Sequence, residues 1–341
     1  MALVEDQLQG GAASAAPSPG RLWSSTTRRR IALGLLDYGV LVVLIGVFIY
    51  FSNASPYFLT VRNLLNIGYA VSITGILAVG ITIALIAGQL DLSIGSVAGL
   101  TTVIIGVGHG VHGLPYSEAI AISVGAALLV GVVNGILVVN LGINSIITTL
   151  AMMTVVVAAA EIVSGGQTIA MGDLSLTNAV NSLVVGIPAT VILMTLTYVV
   201  AYIFLMHTRL GWHIYASGGN SSAAQRAGIR VGAIYRLVLL LTSTLAVIGG
   251  IIIAGRSASG QATYGDTLGI DVLIAVLLGG IGLGGGGGRI ERTLVGVLLI
   301  GVVGNGLVLT NVTSYYQDVF VGVIFVAAVV MGATRAKWLS R

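Results

Sequence analysis

Gly218-Gly219-Asn220-Ser221-Ser222-Ala223-Ala224-Gln225-Arg226-Ala227-Gly228-Ile229 lies within the one long polar island, His207 to Arg236, of a chain that is otherwise apolar for long stretches. Asn220 or Ser221 can accept hydrogen bonds from the free N–H groups of a first helical turn. Ala223, Ala224, Arg226 and Ala227 favour helix, and Gly228 can take the left-handed conformation that ends one. The spacing predicts a helix of about two turns, too short to hold together alone in water. Either a partner or the membrane surface must supply the rest of its stability.

Composition sets the class around this island. Hydrophobic residues make up 56% of the 341 and charged ones 8%, against about 25% charged in a soluble domain. The chain reads as an all-α, polytopic membrane protein. It has no cysteine, so neither a disulfide framework nor a thiolate metal site is available. The four histidines are scattered, which argues against a metal centre.

Scanning for apolar runs able to cross about 30 Å of hydrocarbon gives about ten spans. They are Ile31–Phe51, Leu64–Ala87, Leu92–Gly108, Ser117–Asn140, Ile143–Val163, Gly186–Met206, Gly232–Ala254, Leu268–Gly282, Leu294–Leu309 and Tyr316–Gly332. The eighth is too short to span unaided. With the N-terminus inside, only Arg62 and Arg256 of the 15 Lys and Arg residues fall outside, a strong positive-inside signal. This predicts cytoplasmic termini and a cytoplasmic loop over 207–233 that carries the island. The net charge of +4 follows from this topology and gives no reason to expect nucleic acid as a partner. Residues 1–30 read as a disordered cytoplasmic tail, 31–333 as the membrane domain and 334–341 as a second tail. The run after Arg30 is of spanning length and lacks a cleavage site, so no cleaved leader is expected.

Ala87-Gly88-Gln89-Leu90-Asp91-Leu92-Ser93-Ile94-Gly95-Ser96 joins two apolar runs with almost no loop. A carboxylate, a pair of hydroxyls and glycines there predict a broken helix, with Asp91 at the N-cap of the third span and Ser93 near the same N–H groups. Structural capping and a direct role in gating both fit this pattern. The run Gly284–Gly288 before Arg289 lacks the Gly-Lys-Ser/Thr end and the preceding strand of a phosphate loop. It predicts a flexible cytoplasmic turn, and no cofactor is expected on this chain.

The halves echo each other. Asp91-Leu92-Ser93-Ile94-Gly95 is similar to Asp271-Val272-Leu273-Ile274-Ala275, and Gly131–Gly135 to Gly301–Gly306. The paired segments run in opposite directions, the mark of an inverted repeat.

From about Ser55 to Ala333 these residues resemble the inner-membrane permease subunits of bacterial ATP-binding cassette importers for ribose and related monosaccharides. The resemblance is carried by Ser55-Pro56-Tyr57-Phe58-Leu59-Thr60, Asn63-Leu64-Leu65-Asn66-Ile67, Asp91–Ser96, Gly218-Gly219-Asn220 with Ala224 and Ala227-Gly228-Ile229, and Leu278-Gly279-Gly280. Gln89, Ile281-Gly282 and Glu291-Arg292 depart from the family pattern. The resemblance implies a bacterial inner-membrane permease of about ten spans that works with a second or sister permease, a cytoplasmic ATPase and a periplasmic substrate-binding protein. ATP and Mg would sit on the ATPase, so the chain itself is not expected to be an enzyme. It also implies that Gly218, Gly219, Asn220, Ala223, Ala224, Arg226, Ala227, Gly228 and Ile229 dock on that ATPase.

Polar positions in or beside spans, Asp91, Ser93, Asn134, Asn144 and Asn305, with Asn140 and Thr148, are candidates for the translocation pathway or its gate. Interhelical hydrogen bonding is the competing role for each. Glu161, Asp271 and Asp318 lie near outer span ends. Cargo alternatives are a nucleoside, a signalling furanose or a branched-chain amino acid, and an ion-coupled secondary transporter is the alternative class.

Overall fold

The computed structural model describes residues 39–313 together with 315–317, 319–320, 322–324, 326 and 330. Both expected tails, Asp318, the start of the first span and the end of the tenth lie outside the described residues. All described residues but Gly39 belong to one compact unit, Val40–Arg341.

Helix dominates. In chain order the α-helices are α1 (Gly39–Ala54), α2 (Val61–Ile86), α3 (Ile94–Ile105), α4 (Tyr116–Val139), α5 (Ser145–Ser164), α6 (Ser175–Val180), α7 (Ala189–His207), α8 (Arg209–Gly219), α9 (Ser221–Arg226), α10 (Val231–Ser257), α11 (Leu268–Leu278) and α12 (Ile290–Leu309). The described residues of 315–330 are helical too. Seven helices among the described residues are long and apolar enough to cross a membrane, α3 counting with the wider π-helical turn Gly106–Val111 that prolongs it. The all-α reading holds, with two short ribbons beside the helices. β1 (Ile169–Ala170) pairs antiparallel with β4 (Ser259–Gly260), and β2 (Leu183–Val184) with β3 (Ile187–Pro188). Ribbons of two residues leave no period-2 pattern to detect.

Helix ends follow local chemistry. The Thr60 hydroxyl accepts from the Asn63 N–H at the start of α2, and Asn144 accepts from the Ile146 N–H at 2.9 Å to open α5. Gly165 closes α5 at φ 62°. α11 has 11 residues, about 16 Å of helix, roughly half a bilayer. The eighth span is therefore a half-helix that ends at Leu278, short of the predicted Gly282.

Burial ranks the helices. α2 and α3 are apolar all round and largely buried, whereas α5 and α7 show broad apolar faces to the outside, as helices next to lipid must. α2 and α10 cross antiparallel at the centre, with Gly80 against Thr242 and Leu77 against Gly249. α10 also packs on α3 and α4, and α2 on α11 and α12. A long helix, a short one and a second long one thus occur twice, over 61–139 and 231–309, with opposite sense. This is the geometry an inverted repeat requires.

One predicted pair does not survive at residue level. α3 and α11 meet where a Cβ on Gly95 would lie 2.6 Å from the Gly269 nitrogen and 2.7 Å from the Gly265 oxygen, and Gly95 and Gly269 are each the second residue of their helix. Asp91 then lies ahead of its short helix while Asp271 lies within the first turn of α11. The Asp91–Asp271 echo slips in register because both stretches are apolar and short. Gly131 and Gly301 fare better: Gly131 packs on Leu240 of α10 and Gly301 on Val71 of α2, each against the long helix of the other half.

Candidate coupling and pathway sites

The polar island folds as two helices joined at Asn220. α8 opens at Thr208, whose hydroxyl accepts from the Gly211 N–H at 3.1 Å. Asn220 ends α8 by donating its N–H to the Ala216 carbonyl at 3.1 Å, and its side chain accepts from the Ala223 N–H at 2.8 Å to start α9. Gly228 adopts φ 86°, and the Gly228 and Ile229 N–H groups donate to the carbonyls of Gln225 and Ala224, both at 3.0 Å. Gly218 and Gly219 therefore close α8, and Asn220, Ala223, Ala224, Arg226, Ala227, Gly228 and Ile229 build α9 and its stop. Ala224 is buried and Ile229 half-buried. Asn220, Ala223, Arg226, Ala227 and Gly228 are exposed. α9 has six residues and one buried anchor, Ala224, while its other five residues are exposed.

The Ala87–Ser96 segment is broken helix, as predicted, but the capping is rearranged. Ser93, not Asp91, is the N-cap of α3, and its side chain makes no cap bond. The Asp91 carboxylate accepts from the Ser93 N–H at 2.9 Å, from the Ser93 hydroxyl at 2.5 Å and from the Thr242 hydroxyl of α10. Asn134 of α4 donates to the Ser93 hydroxyl oxygen at 3.1 Å. From α5, the Ser145 hydroxyl accepts from the Leu90 N–H at 3.2 Å, while Thr149 accepts from the Leu92 N–H at 3.1 Å and its hydroxyl lies within reach of the carbonyls of Ser145 at 2.9 Å and Leu90 at 3.2 Å. Asp91, Ser93 and Asn134 are all 0% exposed, so the cluster is sealed and joins the turn to α4, α5 and α10.

The other candidates lie elsewhere. Asn144 caps α5 from an exposed position. Asn305 exchanges amide bonds with Asn63 at 2.8 and 2.9 Å, joining α12 to the start of α2. Asn140 ends α4 at the surface, and the Thr148 hydroxyl is buried without a partner. Sequence reading missed Thr242, Ser145 and Thr149, and gave Asn63 no role of its own. The adjacent hydroxyls Thr242-Ser243-Thr244 inside an apolar span were the available signal for the first of these.

The run Gly284–Gly288 does more than turn. Gly286 donates its N–H to the Ile86 carbonyl at 2.8 Å, and a Cβ on Gly285 would lie 2.8 Å from both the Gly88 Cα and the Gly218 oxygen. Glycines 88, 218, 219, 285 and 286 thus gather at the end of the molecule that carries α9. Beside them Arg289 pairs with Glu291 at 3.1 Å in an exposed position, an arrangement that contributes little. Among the described residues no cluster of His, Asp or Glu is suited to a metal ion.

The family described as the permease component of branched-chain amino acid transport systems matches residues 63–329. The chain is 36% identical over 303 residues to the ribose import permease protein RbsC of Escherichia coli K12, covering 87% of this chain and 94% of that one. It is 34% identical over 334 residues to the L-arabinose transport system permease protein AraH of the same strain, covering 96% of each. RbsC of Bacillus subtilis 168 is 34% identical over 299 residues, or 87% of this chain and 91% of that one. No solved structure matches the chain.

Proposed function

The chain belongs to the family of transport permeases described as the permease component of branched-chain amino acid transport systems, and from that membership we propose that it is the membrane subunit of an ATP-binding cassette importer that passes a monosaccharide, a pentose or hexose, into the cell. The relatives that cover nearly the whole chain are named for ribose and L-arabinose, which favours a sugar over an amino acid. A periplasmic binding protein delivers the sugar, a second permease completes the pathway, and a cytoplasmic ATPase supplies the energy, with ATP and Mg held on that ATPase.

The observation that carries this reading is α9: a capped helix of six residues, exposed on all but Ala224, at the end of the molecule that the positive-inside rule assigns to the cytoplasm. An importer of this kind needs such a rigid projection to take up the movement of an ATPase. Asp91, Ser93 and Asn134 act as the fixed point of a gate and not as sugar ligands, since all are sealed in this conformation. Asn144 and Asn305 keep structural roles at the ends of their helices.

Reconstituted vesicles containing this permease, its ATPase and its binding protein should take up labelled ribose or L-arabinose only with ATP inside. Uptake without any ATPase would overturn the proposal and favour an ion-coupled carrier. Gly228→Val forces a β-branched residue into φ 86°, which such residues avoid. That variant should remain in the membrane yet hydrolyse ATP without importing sugar.

A further inference from the structure

We propose that Gly88, Gly218 and Gly286 form a rigid backbone joint that carries movement of the docking helix into the broken helix between α2 and α3; this rests on the reading of α8–α9 as the ATPase-facing segment. The joint consists of three stretches distant in sequence: the turn after α2, the end of α8 and the glycine loop between α11 and α12. A Cβ on Gly218 would collide with the Ile86 carbonyl oxygen and lie 2.6 Å from the Gly286 nitrogen, and one on Gly286 would collide with the Cα of Gly219.

Bonds hold what the missing side chains permit. Ile86 is the last residue of α2, so its carbonyl has no partner within the helix, and the Gly286 N–H fills that place at 2.8 Å. The Tyr215 hydroxyl of α8 donates to the Gly288 carbonyl at 2.9 Å, a second strut between the same helix and the same loop. On one side, Asn220 serves as the end of α8 and the cap of α9, so the two helices move together. On the other, the turn that contains Gly88 runs directly into Leu90 and Asp91, which are bound to α5 and α10. Contact between main chains leaves no side-chain rotamer to absorb a displacement, and packed interiors transmit strain.

The decisive measurement is sugar imported per ATP hydrolysed by the assembled permease, ATPase and binding protein in vesicles. A merely structural defect lowers both activities together and leaves this ratio unchanged. Gly218→Ala should retain the ATPase and its hydrolysis while the ratio falls about tenfold, within the range carried by packed couplings. Gly287→Ala, whose Cβ would meet nothing within 4 Å, should leave the ratio unchanged. A normal ratio in Gly218→Ala overturns the joint.

If Gly218→Ala does not accumulate, the absence of native cysteine allows a second test: Gly219→Cys with Gly287→Cys, cross-linked across the joint. A rigid joint predicts that the linked protein imports at the unlinked rate. Loss of import on cross-linking, restored by reductant, means that the surfaces slide, and this also overturns the proposal. Failure of the docking reading has a different signature, since the ATPase then binds Arg226→Glu as well as the parent.

Discussion

Asp91 carries a carboxyl group with 0% exposure, and among the described residues no Lys, Arg or His forms an ion pair with it. What stabilises it is hydrogen bonding with Ser93 and Thr242. The Thr242 hydroxyl also lies 2.8 Å from the Leu239 carbonyl, and one hydroxyl proton cannot serve both acceptors. A neutral group at position 91 that donates to Thr242 satisfies every partner, because Thr242 then donates to Leu239. Asp91→Asn should therefore keep most of the thermal stability of the purified protein in detergent. Asp91→Ala leaves the Ser93 N–H and hydroxyl without their acceptor and the Thr242 oxygen without its donor, at about 1–3 kcal/mol for each buried group stranded, and should lower the melting temperature clearly. Equal losses in the two variants would refute the assignment.

For single elements, capping decides α9. Asn220→Ala removes the bond to the Ala223 N–H, worth about 1 kcal/mol. A helix of six residues that is ordered by its partner passes such a loss on to binding. ATPase titrated against the variant should bind about fivefold more weakly, while the membrane domain melts as before; unchanged affinity would show that α9 is not the contact. This element was legible in sequence because its chemistry is local: Asn220 and Gly228 are a few residues from the groups they satisfy. The break at Asp91 was legible for the same reason, as polar residues crowded between two apolar runs. The partners across space were not. Thr242 lies 151 residues from Asp91, and the glycine joint unites stretches that look like ordinary turns. Glycine is so frequent here, 49 of 341 residues, that those meeting another backbone cannot be told from those facing open space. Gly287 has nothing within 4 Å while its neighbour Gly286 is in contact.

Across the whole molecule, the sorting of charge agrees with the sorting of elements. Arg209 and Arg226 bound α8 and α9, and Arg289 and Arg292 flank the start of α12, at the end that carries the glycine joint. Arg256 lies at the opposite end of α10, where it donates to the Asn181 side chain at 3.1 Å and sits 4.1 Å over the ring of Tyr69. Those bonds explain how this cation is tolerated on the less basic side. The orientation we propose puts α6 and both β-ribbons outside and α9 inside. Single cysteines in this cysteine-free chain test it directly, because Asn178 and Ser222 are both exposed. In intact spheroplasts a membrane-impermeant maleimide should label Asn178→Cys and spare Ser222→Cys until the membrane is opened. The reverse pattern would turn the molecule over, place α9 out of reach of any cytoplasmic ATPase and remove the basis for coupling through it.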